Sequence, residues 1–215
     1  MQKVTKIDRF YLFAKISVIL KRPKSFRVVV LASTNGTDFG AMLAEKAAGK
    51  LKDVDFVGLV ASKSCGAVER AEAAGVPAFV LNGKDPDFHA KLLETVRNLE
   101  PDLVCMVGWM KFLQPDFCKE FENKILNVHP SLLPKFAGKM DGSVHAEVLA
   151  AGEKESGMTI HLATADVDAG PIICQKSVAI EPDETVETLR AKVQELEKKW
   201  YPEVIRWFRY GKIYF

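Results

Sequence analysis

Several of the signatures that would place a chain at a glance are missing from this one. Its four cysteines, Cys65, Cys105, Cys118 and Cys174, stand far apart, with no C-x-x-C pair and no Cys/His zinc spacing. That excludes a disulfide-stapled framework and a zinc module. No apolar run reaches the roughly 18 residues needed to span a bilayer. Charge of one sign is also lacking, because 30 Lys and Arg against 28 Asp and Glu leave +2. Such a balance does not suit a protein held on nucleic-acid phosphates. There is no internal repeat, no low-complexity linker, and neither a full G-x-G-x-x-G fingerprint nor a Walker loop. What remains is a 215-residue chain, 48% hydrophobic and 27% charged, which is enough to bury a full core. Cys105 and Cys174 lie in strand-like apolar runs and read as small buried hydrophobes. Thiols used in this way point to a reducing compartment, hence the cytoplasm.

The charge is unevenly spread. Residues 1–25 hold seven Lys or Arg and one Asp, a balance of +6, so the remainder carries −4. Within them the apolar stretch 10–20 is interrupted by Lys15 and Ser17, and Lys21-Arg22-Pro23-Lys24 follows. No small-x-small cleavage site follows, so a secretory signal is a poor fit. The segment reads as a basic N-terminal extension packed on the domain, with contact to an anionic surface as the alternative. Residues 26–215 read as a single domain.

From Phe26 onward, strands and helices alternate. The β-branched run 27–32 (RVVVLA) is the pattern of a strand buried on both faces. A helix is expected over 39–50, then strand 54–61, helix 67–74 and strand 77–81. A helix over 85–99 places Phe88, Leu92, Leu93 and Val96 on one face. Strands 103–107 and 125–128 follow. Segments 157–163 and 172–180 alternate like paired antiparallel strands, joined by the loop 164–171. A long helix over 185–209 carries Val186, Leu189, Val193, Leu196, Trp200, Val204 and Trp207 at helical spacing. The fold class is α/β: a mostly parallel, Rossmann-like sheet flanked by helices, with an antiparallel C-terminal extension and a long C-terminal helix.

Three places carry chemistry. The turn Thr34-Asn35-Gly36-Thr37 lies between a buried strand and a helix, where backbone N–H groups meet an anion such as phosphate. With one Gly it reads equally well as an ordinary strand–helix turn. Asn127-Val128-His129 ends a strand, and residues two apart share a side, so Asn127 and His129 project together. An amide donor beside an imidazole suits stabilising an oxyanion while moving a proton. The third place, Asp166-Val167-Asp168-Ala169-Gly170-Pro171, is by itself a hairpin turn. It gains meaning only if it folds over His129.

Asn127-Val-His-Pro-Ser-Leu-Leu-Pro-Lys135, Asp168-Ala-Gly-Pro-Ile172 and the first Asn35-Gly36-Thr37 turn resemble the folate-dependent formyltransferases. The likeness runs from about residue 27 to 208. It includes Gly108-Trp-Met-Lys-Phe-Leu113 and Ala151-Gly-Glu-Lys-Glu-Ser-Gly157, and is nearest to the branch that formylates glycinamide ribonucleotide in purine synthesis. Length and spacing choose that branch, since relatives acting on tRNA carry a further domain after this one and formylfolate hydrolases a regulatory domain before it. The resemblance implies 10-formyltetrahydrofolate as co-substrate, no metal, and small-molecule partners only. It leaves monomer or homodimer open. It implies a trio of Asn127, His129 and Asp168 around the reacting carbon, with Asp168 favouring imidazolium. Asn35, Gly36, Thr37 and Asp38 correspond to the loop that holds the ribonucleotide phosphate, and Glu197 to a carboxylate that binds its ribose. Met110, Lys111, Phe112 and Leu113, with Thr164, Ala165, Asp166, Val167 and Asp168, correspond to the folate pocket. Without the family match, Glu197 would read as one charge on an exposed helix face.

The sequence departs from the family pattern at three points. Asp38 stands where Asn is common, so its carboxylate either faces the phosphate or caps the helix. Ala169 replaces a frequent Gly, which implies lost freedom after Asp168. The stretch 136–145 is longer than in some relatives. Two other readings stay open: a formyltransferase acting on an amino sugar or its nucleotide, and a non-catalytic nucleotide-binding domain.

Overall fold

Seven strands and six helices alternate through the residues that the computed structural model describes, 25–138 and 144–213. In chain order they are β1 (Phe26–Ala32), α1 (Thr37–Ala47), β2 (Val54–Ala61), α2 (Gly66–Ala73), β3 (Ala78–Val80) and α3 (Phe88–Asn98). Then follow β4 (Leu103–Val107), α4 (Pro115–Glu120), β5 (Ile125–His129), α5 (Val144–Ala150), β6 (Glu155–Leu162), β7 (Ile172–Ala179) and α6 (Val186–Arg209). The basic extension anticipated over 1–25, Ser25 apart, and 139–143 of the lengthened stretch lie outside the described residues.

One sheet of order β3-β2-β1-β4-β5-β6-β7 holds all seven strands. Strands β1 to β5 are parallel, and β6 and β7 join antiparallel. Alternation within β1 explains the two-sided burial. Val28, Val30 and Ala32 enter a core with α1, α2, α5 and α6, while Val29 and Leu31 enter one with α3 and α4. The chain leaves β1 first toward β2 and β3, and later returns on its other side as β4. The gap between the ends of β1 and β4 is therefore the topological switch point, where ligands bind in open α/β sheets.

Helix α6 follows its sequence pattern closely. Thr185 is its N-cap, with the Thr185 hydroxyl accepting from Thr188 N–H and the Thr188 hydroxyl accepting from Thr185 N–H in a reciprocal capping box. The helix runs through Pro202 without ending. Next to it, the fully buried Tyr201 hydroxyl donates to the carbonyls of Met106 at 2.9 Å and Leu126 at 3.0 Å. It thereby ties α6 to the ends of β4 and β5.

Three elements depart from the expected ones. Helix α1 starts at Thr37 rather than 39 and stops at Ala47, so Thr37 and Asp38 belong to its first turn. Helices α4 and α5, with six and seven residues, had no counterpart in the sequence reading. Elements of under two turns show too little periodicity to register.

Candidate active site

A cavity of about 340 Å³ opens at the carboxyl ends of β1, β4 and β5. Its floor is fixed by contact between the loops after β1 and β4. Gly108 has φ +55°, and a Cβ there would lie 2.2 Å from the Thr34 hydroxyl, so only glycine lets the loops meet. Ser33 N–H donates to Gly108 O at 3.2 Å, and Met110 N–H donates to the Ser33 hydroxyl at 3.2 Å. Beside the cavity, fully buried Thr159 of β6 accepts from Leu133 N–H at 3.0 Å and donates to Ser131 O at 2.7 Å. These bonds pin the turn that follows His129.

Asn127, His129 and Asp168, far apart in the chain, come together. His129 Nδ1 lies 3.2 Å from Asp168 Oδ2, with both side chains buried. His129 Nε2 lies 3.0 Å from the carbonyl of Phe136. Both ring nitrogens thus face acceptors, and the ring makes both bonds only when both carry protons. Phe136 has φ +61°, an outlier for a bulky residue beside a site. A fourth member, His161 of β6, completes the cluster. The antiparallel register sets it opposite Asn127. Asn127 Nδ2 lies 3.1 Å from His161 Nε2 and 3.4 Å from Asp168 Oδ1, and His161 Nδ1 donates to Leu162 O at 3.0 Å. His161 Nε2 is itself 3.4 Å from Asp168 Oδ1.

Burial alone would raise the pKa of Asp168. The hydrogen bond from His129, the charge of His129 and the Gly138 N–H at 2.9 Å overcome it and hold the carboxyl well below the usual range. Asp168 itself takes the left-handed conformation, φ +54°, which Asp tolerates. Ala169 is not in that region, so the turn does not need the freedom of a glycine there, contrary to expectation.

At the other end of the cavity, Thr37, Asp38 and Glu197 line the wall, while Asn35 and Gly36 do not. The Asn35 carbonyl accepts from Arg70 Nε at 2.9 Å. Gly36 is required by packing: it has φ +64°, and a Cβ there would meet Ala67 Cβ at 2.7 Å. Asp38 and Glu197 are only 4% and 8% exposed, so Glu197 does not sit on an exposed helix face. Oδ1 of Asp38 has no hydrogen-bond partner, so it caps nothing. Burial, only partly opposed by the charge of Lys198, pushes its pKa up to about 7. Glu197 is likewise raised well above the usual carboxylate range by burial and by the charge of Asp38, against the charge of Lys198.

Met110, Lys111, Phe112 and Leu113 form one rim, with Thr164, Ala165, Val167 and Asp168 opposite; Asp166 is off the lining. Met110, Phe112 and Val167 expose apolar surface around the mouth. Lys111 turns away and donates to Gly83 O at 3.0 Å. Sequence reasoning missed Trp109, His145, His161, Arg190 and Gln194, which also line the cavity. One signal was available: three of the chain's four histidines gather here. Burial pushes His145 down to about 4, helped by the charges of Arg190 and His129. Among the described residues, no group of three or more His, Cys, Asp or Glu is arranged to hold a metal ion, and no helix is long and apolar enough to cross a membrane.

A doubly wound sheet with an Asn–His–Asp cluster in the cavity that opens at its switch point defines the class, and the formyl transferase family model matches residues 26–205. The chain belongs to that family. Within it, the chain is 33% identical over 189 residues to the phosphoribosylglycinamide formyltransferase of Bacillus subtilis, covering 84% of this chain and 93% of that one. The crystal structure of glycinamide ribonucleotide transformylase 1 from Symbiobacterium toebii superposes with a TM-score of 0.84 at 35% identity, covering 90% of this chain and 92% of that one. The chain is also 34% identical over 198 residues to the bovine trifunctional purine biosynthetic protein adenosine-3, covering 89% of this chain but only 19% of that longer protein's length.

Proposed function

We propose that this protein transfers the formyl group of 10-formyltetrahydrofolate to the amine of glycinamide ribonucleotide, in the cytoplasm, as a step of purine biosynthesis. The observation that carries this reading is the buried Asn127–His129–His161–Asp168 cluster at one end of a cavity, in a chain that matches phosphoribosylglycinamide formyltransferases over most of its length. Residues 26–215 are the formyltransferase domain in this reading, and 1–25 an appended extension.

The roles follow from donors and acceptors. Attack of the amine nitrogen on the formyl carbon moves the carbonyl electron pair onto oxygen. Collapse of that tetrahedral centre breaks the bond to the folate nitrogen, which takes up the proton that the amine gives away. His129 and Asn127 donate hydrogen bonds to the oxyanion, and Asp168 keeps the imidazole oriented for the proton's passage. As folded, both N–H bonds of Asn127 already point to acceptors, His161 at 3.1 Å and Asp168 at 3.4 Å. The longer contact is the weaker one, and it yields to the oxyanion. Thr37 and Asp38 hold the phosphate through free N–H groups of the first turn of α1, and Asn35 and Gly36, off the cavity lining, form the turn that presents them. Glu197 binds the ribose hydroxyls. The apolar rim of Met110, Phe112 and Val167 packs against the pterin, and backbone groups of 110–113 and 164–168 read its edge.

The test is formyl transfer by purified protein from 10-formyltetrahydrofolate to glycinamide ribonucleotide, run beside an amino-sugar nucleotide. Release of tetrahydrofolate only with the ribonucleotide supports the reading. Transfer only to the amino sugar, or to neither, sinks it.

A further inference from the structure

We propose that Asp38 meets the ribonucleotide as a neutral acid, sharing protons with Glu197 across the cavity wall, and that substrate binding draws a proton into this pair. The inference rests on the functional reading above and adds a recognition chemistry to it.

The geometry is unusual for two carboxyl groups. Asp38 sits in the first turn of α1 and Glu197 in the middle of α6, yet both are almost wholly buried and line the same cavity. Oδ1 of Asp38 is buried with no hydrogen-bond partner. A buried ionised carboxylate lacking partners is costly, and such a group takes a proton instead. The charge of Asp38 acts on Glu197, and carboxyls that interact in this way titrate as a pair. The surrounding groups do not offset their charge fully. From α6, Lys198 opposes both, Tyr201 lies buried beneath with Cys105 of β4, and Arg190 stands farther along on the same wall. Lys198 also reaches Glu195, and Arg70 of α2 is bonded to the Asn35 carbonyl. Facing from α5 and β5 are His145, held neutral by burial, and His129, paired with Asp168.

An anion at the N-terminus of α1 adds negative charge beside Asp38. Like charge disfavours the ionised carboxyl further, so the bound state holds its proton more tightly than the free state. The sign follows from linkage: if only the protonated form binds well, affinity is full below the free midpoint near 7 and falls as pH rises through it. One unit above that midpoint the competent fraction is about a tenth, so affinity drops about tenfold. A neutral acid donates from O–H, as an amide donates from N–H, so Asp38→Asn imitates the competent form at every pH.

Binding of glycinamide ribonucleotide is measured from pH 6 to 8.5 for the wild type and Asp38→Asn. Calorimetry in two buffers of different ionisation heat counts the protons taken up. The wild type and the variant should agree within about twofold at pH 6, and the variant should bind about tenfold tighter at pH 8. Near pH 7.5 the wild type should take up more protons per ribonucleotide than the variant. The phosphate's own titration is common to both proteins and cancels in the comparison. The proton count on the wild type stands even if the variant folds poorly. Equal pH dependence and equal proton counts, with formyl transfer intact, overturn the proposal and leave the function standing. No ribonucleotide binding at any pH overturns both.

Discussion

Replacing Asp168 by Asn keeps the size of the side chain and removes its charge. Its Oδ2 lies 3.2 Å from His129 Nδ1 and accepts from Gly138 N–H at 2.9 Å, while Oδ1 faces Asn127 Nδ2 and His161 Nε2, each at 3.4 Å. The Gly138 amide can only donate, so the new carbonyl oxygen takes the Oδ2 position. The new NH₂ group then faces the NH₂ of Asn127, which must turn or withdraw. Two losses combine. A hydrogen bond to a charged group is worth about 1.5–3 kcal/mol, or about 10- to 150-fold in rate. Loss of one oxyanion donor costs about 10²–10³ in turnover. Groups that act as a unit do not add, so kcat should fall by about 10²–10³.

Because the wild-type carboxyl stays ionised through any practical assay range, the fall should extend across all of it. Removing the adjacent negative charge disfavours a protonated imidazole, so the limb of the rate profile that reports the site's base should move to lower pH. Stability responds as well. A carboxyl whose pKa is depressed on folding adds stability above its unfolded value of about 3.9, and that stability is lost as pH falls further. The melting difference between the wild type and Asp168→Asn should be full at pH 7 and shrink below about pH 4. A variant that keeps more than a tenth of wild-type turnover on a superimposable pH profile would refute this reasoning and leave Asp168 a turn residue.

Three further outcomes are expected. His161→Phe removes the acceptor that orients Asn127; kcat should drop at least tenfold while the folate KM moves less than threefold, and steady-state kinetics with both substrates varied would expose the opposite split. Tyr201→Phe removes the one O–H that the carbonyls of Met106 and Leu126 share in addition to their strand bonds, a loss of about 0.5–1.5 kcal/mol that thermal melts should show as a Tm a few degrees lower; an unchanged Tm means the hydroxyl adds nothing net. Asp38 has a pKa raised on folding, so the stability it contributes is full below about pH 4 and lost as pH rises to about 7. Melts of Asp38→Asn should therefore run above the wild type at pH 8, by up to about 4 kcal/mol, with the gap closing near pH 4; a gap that does not change with pH contradicts the buried-acid description.

Local pattern made much of this molecule legible. The run at 27–32 announced a strand buried on both faces, and the period of two in Asn127-Val128-His129 put amide and imidazole on one side. Helical spacing carried α6 from its Thr185 cap past Pro202. What stayed hidden depends on partners distant in the chain. His161 reads as a lone polar residue in an apolar strand until β6 pairs antiparallel with β5 and sets it opposite Asn127. Glu197 reads as a surface charge until α6 lies against the cavity. Asp38 reads as a capping or phosphate-facing carboxylate until its oxygen proves buried without a partner. The freedom expected after Asp168 falls on Asp168 itself, because the left-handed residue is the one that turns its carboxylate inward.

The resting hydrogen bonds also bear on how such a site can favour a transition state over its substrate. His129 Nε2 faces the neutral carbonyl of Phe136 at 3.0 Å, and the second N–H of Asn127 spans a long 3.4 Å to Asp168. A formyl oxygen in the ground state is also a neutral carbonyl. By displacing the Phe136 oxygen it exchanges one neutral acceptor for another and gains little. An oxyanion is different, since hydrogen bonds to a charged acceptor are roughly twice as strong as neutral ones. The exchange becomes favourable only as negative charge develops on the reacting oxygen. On the proposed reading, the donors are thus held in place by bonds weak enough to surrender to the transition state and strong enough to resist the substrate. Only interactions that strengthen between those two states accelerate the chemical step.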